Sequence, residues 1–390
     1  MQKIGLILAN PGTNYGAHLQ AYATQYAIDN LGVETEVVEC LSTPVRGHYY
    51  MDLGLVVDLY HSICKKFLKK NRKPTYDKAF QLNKKERVKL AKQFRNERLH
   101  DFRNFNDYKS LVEGVRNYDA ILIGSDQLWL PGTSLGPINS LRFVPKGVRR
   151  ISYATSLGVS EYPRYCWNSA RDMWMNMDSI SVREQQGADI IRNVCNNKKE
   201  VEVVLDPTYL LSKEQWEDAI PVKRMAEKDY VFCYFLGDDK KSKESAKRFA
   251  QEHNLHLVSI LSCESYSDID RTFADQTIGA VSPEDFINWI RGAQYVFTDS
   301  FHGLAFSVIN HKQFFVYYRK RKDSSHSRNS RIDNILSLWQ CEDRAIPNPE
   351  IDWKDINYSP INYEQVEKIV SKERTASLNF LKKALGVHED

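Results

Sequence analysis

In the stretch TDSFHGLAFSVIN, residues 298–310, His302 stands where a buried apolar run gives way to an apolar helix. Ser300 is a good N-cap, which puts Phe301, His302 and Gly303 in the first helical turn. First-turn amides lack intrahelical partners and carry the positive end of the helix dipole, so an anion is welcome there. Gly303 admits a ligand close to the backbone. A histidine here either meets that anion and moves a proton near neutral pH, or simply packs beside the strand.

Arg183 in SVREQQG has the same placement, at the end of one strand and the start of a helix, and arginine suits bidentate recognition of carboxylate or phosphate. The neighbouring Glu184 allows a plain ion pair instead. Asp126 in GSDQLW ends another apolar run and either accepts a proton from a hydroxyl or caps the next turn. Gln127 stands beside it, and the ring of Trp129 is a candidate platform for a sugar face. The loop GTNYGAHLQ offers Asn14, Tyr15, Gly16 and Gln20 for sugar hydroxyls. It has neither the dinucleotide glycine fingerprint nor a phosphate-binding loop. Cations gather again at Arg319, Lys320, Arg328 and Arg331, with His326. Such a run is either a solvated loop or a cover for an anion.

These residues need a frame to hold them. KIGLILAN, AHLQAYATQYAIDNLG and VETEVVEC read as strand, amphipathic helix and strand, a βαβ unit whose strands are buried on both faces. From about 45 to 115 the pattern breaks into a long, mostly helical insertion. Within 61–109 it carries 16 Lys and Arg against 5 Asp and Glu. Its stretch MDLGLVVDLYHSICKKFLKKNRK has apolar residues at helical spacing ahead of a basic cluster, which suits an anionic membrane surface or packing on its own domain. Strands resume with YDAILIG, RRISYATS and SISV. After a passage from Ser212 to Asp229, YVFCYFLG, LHLVSIL, YVFTD and QFFVYY repeat the alternation, with Ser282 and Pro283 opening one of the helices. The fold expected is α/β: two Rossmann-like domains with parallel sheets facing a cleft, residues 1–211 and 212–390, closed by a C-terminal helix. In open α/β sheets ligands bind at the carboxyl ends of the strands, where the candidate residues fall.

Composition agrees with a folded chain. It has 390 residues, 42% hydrophobic and 27% charged, too long for one ordinary core. A net charge of +4 is too small to imply nucleic-acid binding. No apolar run is long enough for a membrane span, and the first strand turns too early for a signal peptide, so a cytoplasmic location is expected. Seven cysteines without a C-x-x-C pair point to reduced thiols, with no metal-ligand spacing visible.

Taken together, NYGAHLQAYA, YDAILIGSDQLW, ISYATSLG, SVREQQGADIIR, VLDPTYLL and TDSFHGLAFSVIN, with SRIDNIL behind them, resemble the polysaccharide pyruvyl transferase family, in its order and over nearly the whole chain. The basic insertion has no clear counterpart. The resemblance implies a GT-B-like fold, phosphoenolpyruvate as donor, a saccharide acceptor, free or polyprenyl-linked, that becomes a pyruvate ketal in bacterial surface polysaccharide synthesis, and no cofactor. In the family, the histidine of the last motif and the arginine of the V-R-E block are associated with donor recognition and catalysis, which fall on His302 and Arg183. Ser300, Phe301, Gly303, Arg328 and Arg331 complete the expected donor side, with Asp126 as the group that orients or deprotonates the acceptor. A glycosyltransferase using a nucleotide sugar and a non-catalytic carbohydrate-binding protein are the alternatives.

Overall fold

Apolar runs too short to be helices and too continuous to face water on one side become the parallel strands of two sheets. The computed structural model describes residues 2–9, 12–42, 78–131, 136–263, 267–319, 330–356 and 358–387. The first sheet contains β1 (Lys3–Ile7), β2 (Glu34–Cys40), β3 (Phe102–Phe105), β4 (Ala120–Ile123), β5 (Arg149–Thr155), β6 (Ser179–Val182) and β7 (Glu202–Val203), in the order 3-2-1-4-5-6-7. The second contains β8 (Tyr230–Tyr234), β9 (His256–Ile260), β10 (Gln276–Ile278), β11 (Tyr295–Thr298), β12 (Gln313–Tyr317) and β13 (Ala345–Ile346), in the order 10-9-8-11-12-13. All described pairings are parallel, Ile4 beside Ala120 and Tyr295 beside Val231 among them. Each sheet therefore reverses its strand order once, at β1/β4 and at β8/β11, and the crevice at such a point is where a ligand fits.

A helix at the first of those points helps to position the site. The helix α1 (Tyr15–Asp29) follows β1, and its N-cap Asn14 makes no side-chain capping bond. The insertion contributes α2 (Lys78–Arg98), and part of it is not extra to the sheet: its FRNF stretch pairs with β2 as edge strand β3. Two of those four residues are exposed, so no apolar run announced the strand. The amphipathic stretch 51–73 lies outside the described residues. Among the described residues no helix is long and apolar enough to cross a membrane, and Cys40, Cys166, Cys195, Cys233, Cys263 and Cys341 are in no disulfide.

The two sheets share one apolar cluster that includes Tyr15, Leu19, Tyr234, Phe286 and Phe306. The Tyr15 ring stacks on Phe286 at 4.8 Å. Helix α2 reaches across: Arg87 Nη2 donates to the Leu261 carbonyl at 2.6 Å, its guanidinium lies 4.6 Å over the Tyr15 ring, and Arg98 Nε meets Glu284 at 2.8 Å. The terminal helix, Tyr363–Leu385, spans both units. It begins with Tyr363 bonded to the Lys312 carbonyl and ends with Arg149 donating to the Ala384 and Leu385 carbonyls at 2.9 Å.

Candidate active site

The helix that opens the second half of the cleft, α3 in order of introduction (Phe301–Ile309), starts as its sequence requires. Ser300 accepts from the Gly303 amide at 3.3 Å, and Thr298 and Asp299 behind it are buried. Burial pushes Asp299 up, while Arg319 and the amides of Leu236 and Gly237 pull it down; those amides donate to its carboxylate at 2.7 and 2.8 Å. Asp299 thus ties the loop after β8 to the loop after β11.

His302 projects from this turn against the N-terminus of α1. A Cβ on Gly16 would lie 2.0 Å from His302 Cγ and 2.1 Å from Nδ1, so only glycine permits the contact. Two helix N-termini, each favourable to negative charge, therefore meet at one imidazole.

On its other edge, Nε2 faces Asp206 Oδ2 at 3.7 Å. Asp206 caps the short turn Pro207–Leu210 and has no exposed side-chain surface. Its Oδ1 accepts from Thr208 N and Oγ1 at 3.1 and 2.8 Å, and its Oδ2 from Ser125 Oγ at 3.0 Å and Arg183 Nη1 at 2.5 Å. Burial alone would push this carboxyl up. His302, Arg183 and the Thr208 amide outweigh that and hold it far below the usual carboxylate range.

Arg183 is enclosed by acid. Beyond Asp206, its Nη2 meets Asp126 at 3.2 Å, and its Nε lies 3.9 Å from Glu184, which itself accepts from Ser156 Oγ and the Leu157 amide at 2.9 Å. Burial lowers the affinity of Arg183 for its proton, and the three carboxylates more than restore it. Its terminal nitrogens donate to carboxylates of the chain itself, while its buried Nε has no hydrogen-bond partner.

Arg331 is the complementary case. It is buried, its Nε has no hydrogen-bond partner, and it lies 5.8 Å from the Phe301 ring, while Arg183 lies 4.6 Å from the same ring. Burial, then the charge of Arg183, pushes it down to about 9. It remains a cation at neutral pH, with Glu184 and Asp126 acting on it as opposite charges. Arg183, Asp206, Phe301, Arg331, Gln185 and Glu373 are among the residues around a cavity of about 470 Å³, within the range of small-molecule sites.

Other expectations change. Trp129 is wholly buried, edge-on to Trp174 at 6.1 Å with its Nε1 donating to the Asn139 carbonyl, so its ring offers no face to a sugar. Tyr15 and Gln20 are also buried, the first in the domain contact and the second bonded to the Ala17 carbonyl. Asn14 and Gln127 are partly buried, the Gln127 amide nitrogen packing beside Gly158, and Gly16 is buried against His302. Arg328 and the cations at Lys320 and His326 lie outside the described residues. Asp126 is brought to the site with a backbone φ of 78°, a strained setting for a non-glycine residue. Asp206 was the residue sequence reasoning missed, although VLDPTYLL contained it.

A profile of the polysaccharide pyruvyl transferase family matches residues 14–321. The chain belongs to that family. This polysaccharide pyruvyl transferase family member is thus a transferase, and the matched span runs from the Asn14 loop past His302. Among curated proteins none matches the chain. Among solved structures, a UDP-GlcNAc 2-epimerase from Methanocaldococcus jannaschii superposes with a TM-score of 0.51 at 9% identity, over 95% of this chain and 99% of that one. One from Neisseria meningitidis bound to UDP-GlcNAc has a TM-score of 0.47 at 11% identity, over 96% and 100%. At 9% identity the first likeness bears on fold alone, the two facing Rossmann-like domains of the GT-B arrangement.

Proposed function

We propose that the chain transfers pyruvate from phosphoenolpyruvate to a sugar diol of a surface polysaccharide or its precursor, forming a cyclic ketal. The observation that supports this best is a buried cation, Arg331, on a cavity it shares with Phe301, next in sequence to the His302 that stands between two helix N-termini: a small donor carrying both a carboxylate and a phosphate brings negative charge to that cavity. In the first step an acceptor hydroxyl adds to C2 of the enol ester while C3 gains a proton, which turns the methylene into a methyl group. In the second step the other hydroxyl bonds to the same carbon, the C2–O bond to phosphate breaks, and phosphate leaves with the hydroxyl's proton. His302 is the acid at C3 or at the leaving phosphate. Asp126, the most exposed of the three carboxylates on Arg183, orients the acceptor hydroxyl. Asn14, Gly16 and Gln127 face the acceptor, Ser300, Phe301, Gly303 and Arg331 the donor. An acceptor on a polyprenyl carrier would bring the enzyme to an anionic surface, which fits the exposed Lys78, Lys85, Lys89 and Lys92 along one face of α2.

Thermal shift separates this from nucleotide-sugar transfer. Phosphoenolpyruvate at about 100 times its dissociation constant stabilises by about 2.7 kcal/mol, and UDP-glucose or UDP-N-acetylglucosamine should not stabilise. Stabilisation by a UDP-sugar and none by phosphoenolpyruvate would overturn the proposal. With methyl hexopyranosides as acceptors, His302→Ala should release almost no phosphate; turnover near that of the unmodified chain would remove His302 from the chemistry.

A further inference from the structure

Asp206 is fully buried, has two donors on Oδ1, and has Ser125 and Arg183 on Oδ2. His302 Nε2 approaches that same Oδ2 to 3.7 Å, just beyond hydrogen-bond length. Nε2 is completely buried and has no hydrogen-bond partner, so the small exposed part of His302 is not this nitrogen. Nδ1 lies on the opposite edge, against Gly16. Contacts between catalytic groups are often long in an unliganded protein and tighten when substrate closes the site.

We infer that Asp206 is the positioning residue for His302: it takes the Nε2–H edge and leaves Nδ1, on the Gly16 side between the two helix N-termini, as the nitrogen that exchanges a proton with the reactants. The inference rests on the proposed role of His302 and adds to it which nitrogen works and what fixes it. The carboxylate is itself immobilised, because Thr208 and Ser125 come from two different loops and Arg183 from a third. The charged groups around the ring are Asp206 at Nε2, Arg183 behind that carboxylate with Asp126 and Glu184 beyond it, and Arg331 on the Phe301 side. The α1 contact is made by Gly16, which carries no charge. A buried ionised carboxylate selects the tautomer with the proton on the nitrogen facing it, as in other carboxylate–histidine pairs.

The test is histidine ring NMR on ¹⁵N-labelled protein, with His302→Gln to assign the signal. In the neutral ring of the unmodified chain, Nε2 should carry the proton and Nδ1 the lone pair. In Asp206→Asn the ratio of that tautomer to the other should fall about tenfold or more, the worth of one charge-assisted hydrogen bond. A neutral His302 protonated on Nδ1 in the unmodified chain overturns the inference, and so does a tautomer ratio that Asp206→Asn leaves unchanged. Should that variant not fold, the spectrum of the unmodified chain decides alone. Loss of the phosphoenolpyruvate shift in the unmodified chain would instead count against the proposed function while leaving the Asp206–His302 pairing standing.

Discussion

Alanine at position 16 tests whether the two domains close on each other at His302. The added carbon would sit 2.0 Å from Cγ, 2.1 Å from Nδ1 and 2.4 Å from Cβ of His302. Carbon atoms in contact stand about 3.5–4.0 Å apart. Swinging the ring about its first side-chain bond does not help, because Cβ itself is one of the clashing atoms. The N-termini of α1 and α3 must therefore move apart by more than about 1 Å. Overpacking of this kind costs about 1–3 kcal/mol, and at about 2–4 °C per kcal/mol the melting temperature should fall by several degrees. The same displacement lengthens the 3.7 Å approach of Nε2 to Asp206, and a misplacement of about 1 Å lowers turnover about 10²-fold. Scanning fluorimetry and phosphate release from phosphoenolpyruvate read the two effects. A His302→Gly background removes all three clashing atoms, so there the alanine should leave the melting temperature nearly unchanged. Unchanged melting and turnover in Gly16→Ala alone, or an equal loss in both backgrounds, would refute the closure argument.

Arg331→Ala should raise the phosphoenolpyruvate concentration for half-saturation about 10- to 100-fold, the worth of one or two charge-assisted contacts, with a smaller change in kcat; steady-state phosphate release checks it, and an unchanged KM would return donor binding to other residues. Burial pushes His18 down to about 4, against a partial lift from the Gly12 carbonyl. Between pH 6.5 and about 4 the unfolded chain binds a proton there that the folded chain does not, so stability is fully present above 6.5 and falls as pH drops through that window, by at most about 3 kcal/mol. Urea melts at pH 7 and 4.5 should show His18→Phe losing less on acidification than the unmodified chain; equal losses would mean that the ring is protonated in place.

What the sequence made legible is what local physics decides. Continuous apolar runs such as AILI and YVFCY could only be two-sided strands, and Ser282–Pro283 and Ser300 could only open helices, which is where they stand. The edge strands β3, β7, β10 and β13 escaped because they are two to four residues long and half solvated, so burial never stamped a pattern on them. Trp129 misled because its size suggests a platform, while its burial is decided by Trp174, on a helix at Trp167–Met175 that was not foreseen. Asp206 before Pro207 looks like an ordinary turn cap, and it is one. Its second role exists only because Ser125, Arg183 and His302 converge on it from distant segments.

That convergence also bears on which arginine we propose to serve an anion. For Arg183 to grip a donor it would have to release Asp206 and Asp126, and removing one partner from a buried ion pair costs about 3–5 kcal/mol. A phosphate or carboxylate returning similar contacts would gain little over what was lost. Arg331 also has a buried Nε without a partner, and burial and the repelling charge of Arg183 outweigh the attraction of Glu184 and Asp126 there. The arginine next to the motif's glutamate therefore builds the site, holding Asp206 where His302 can use it. Arg331, already on the expected donor side, is the arginine we propose to meet the anion.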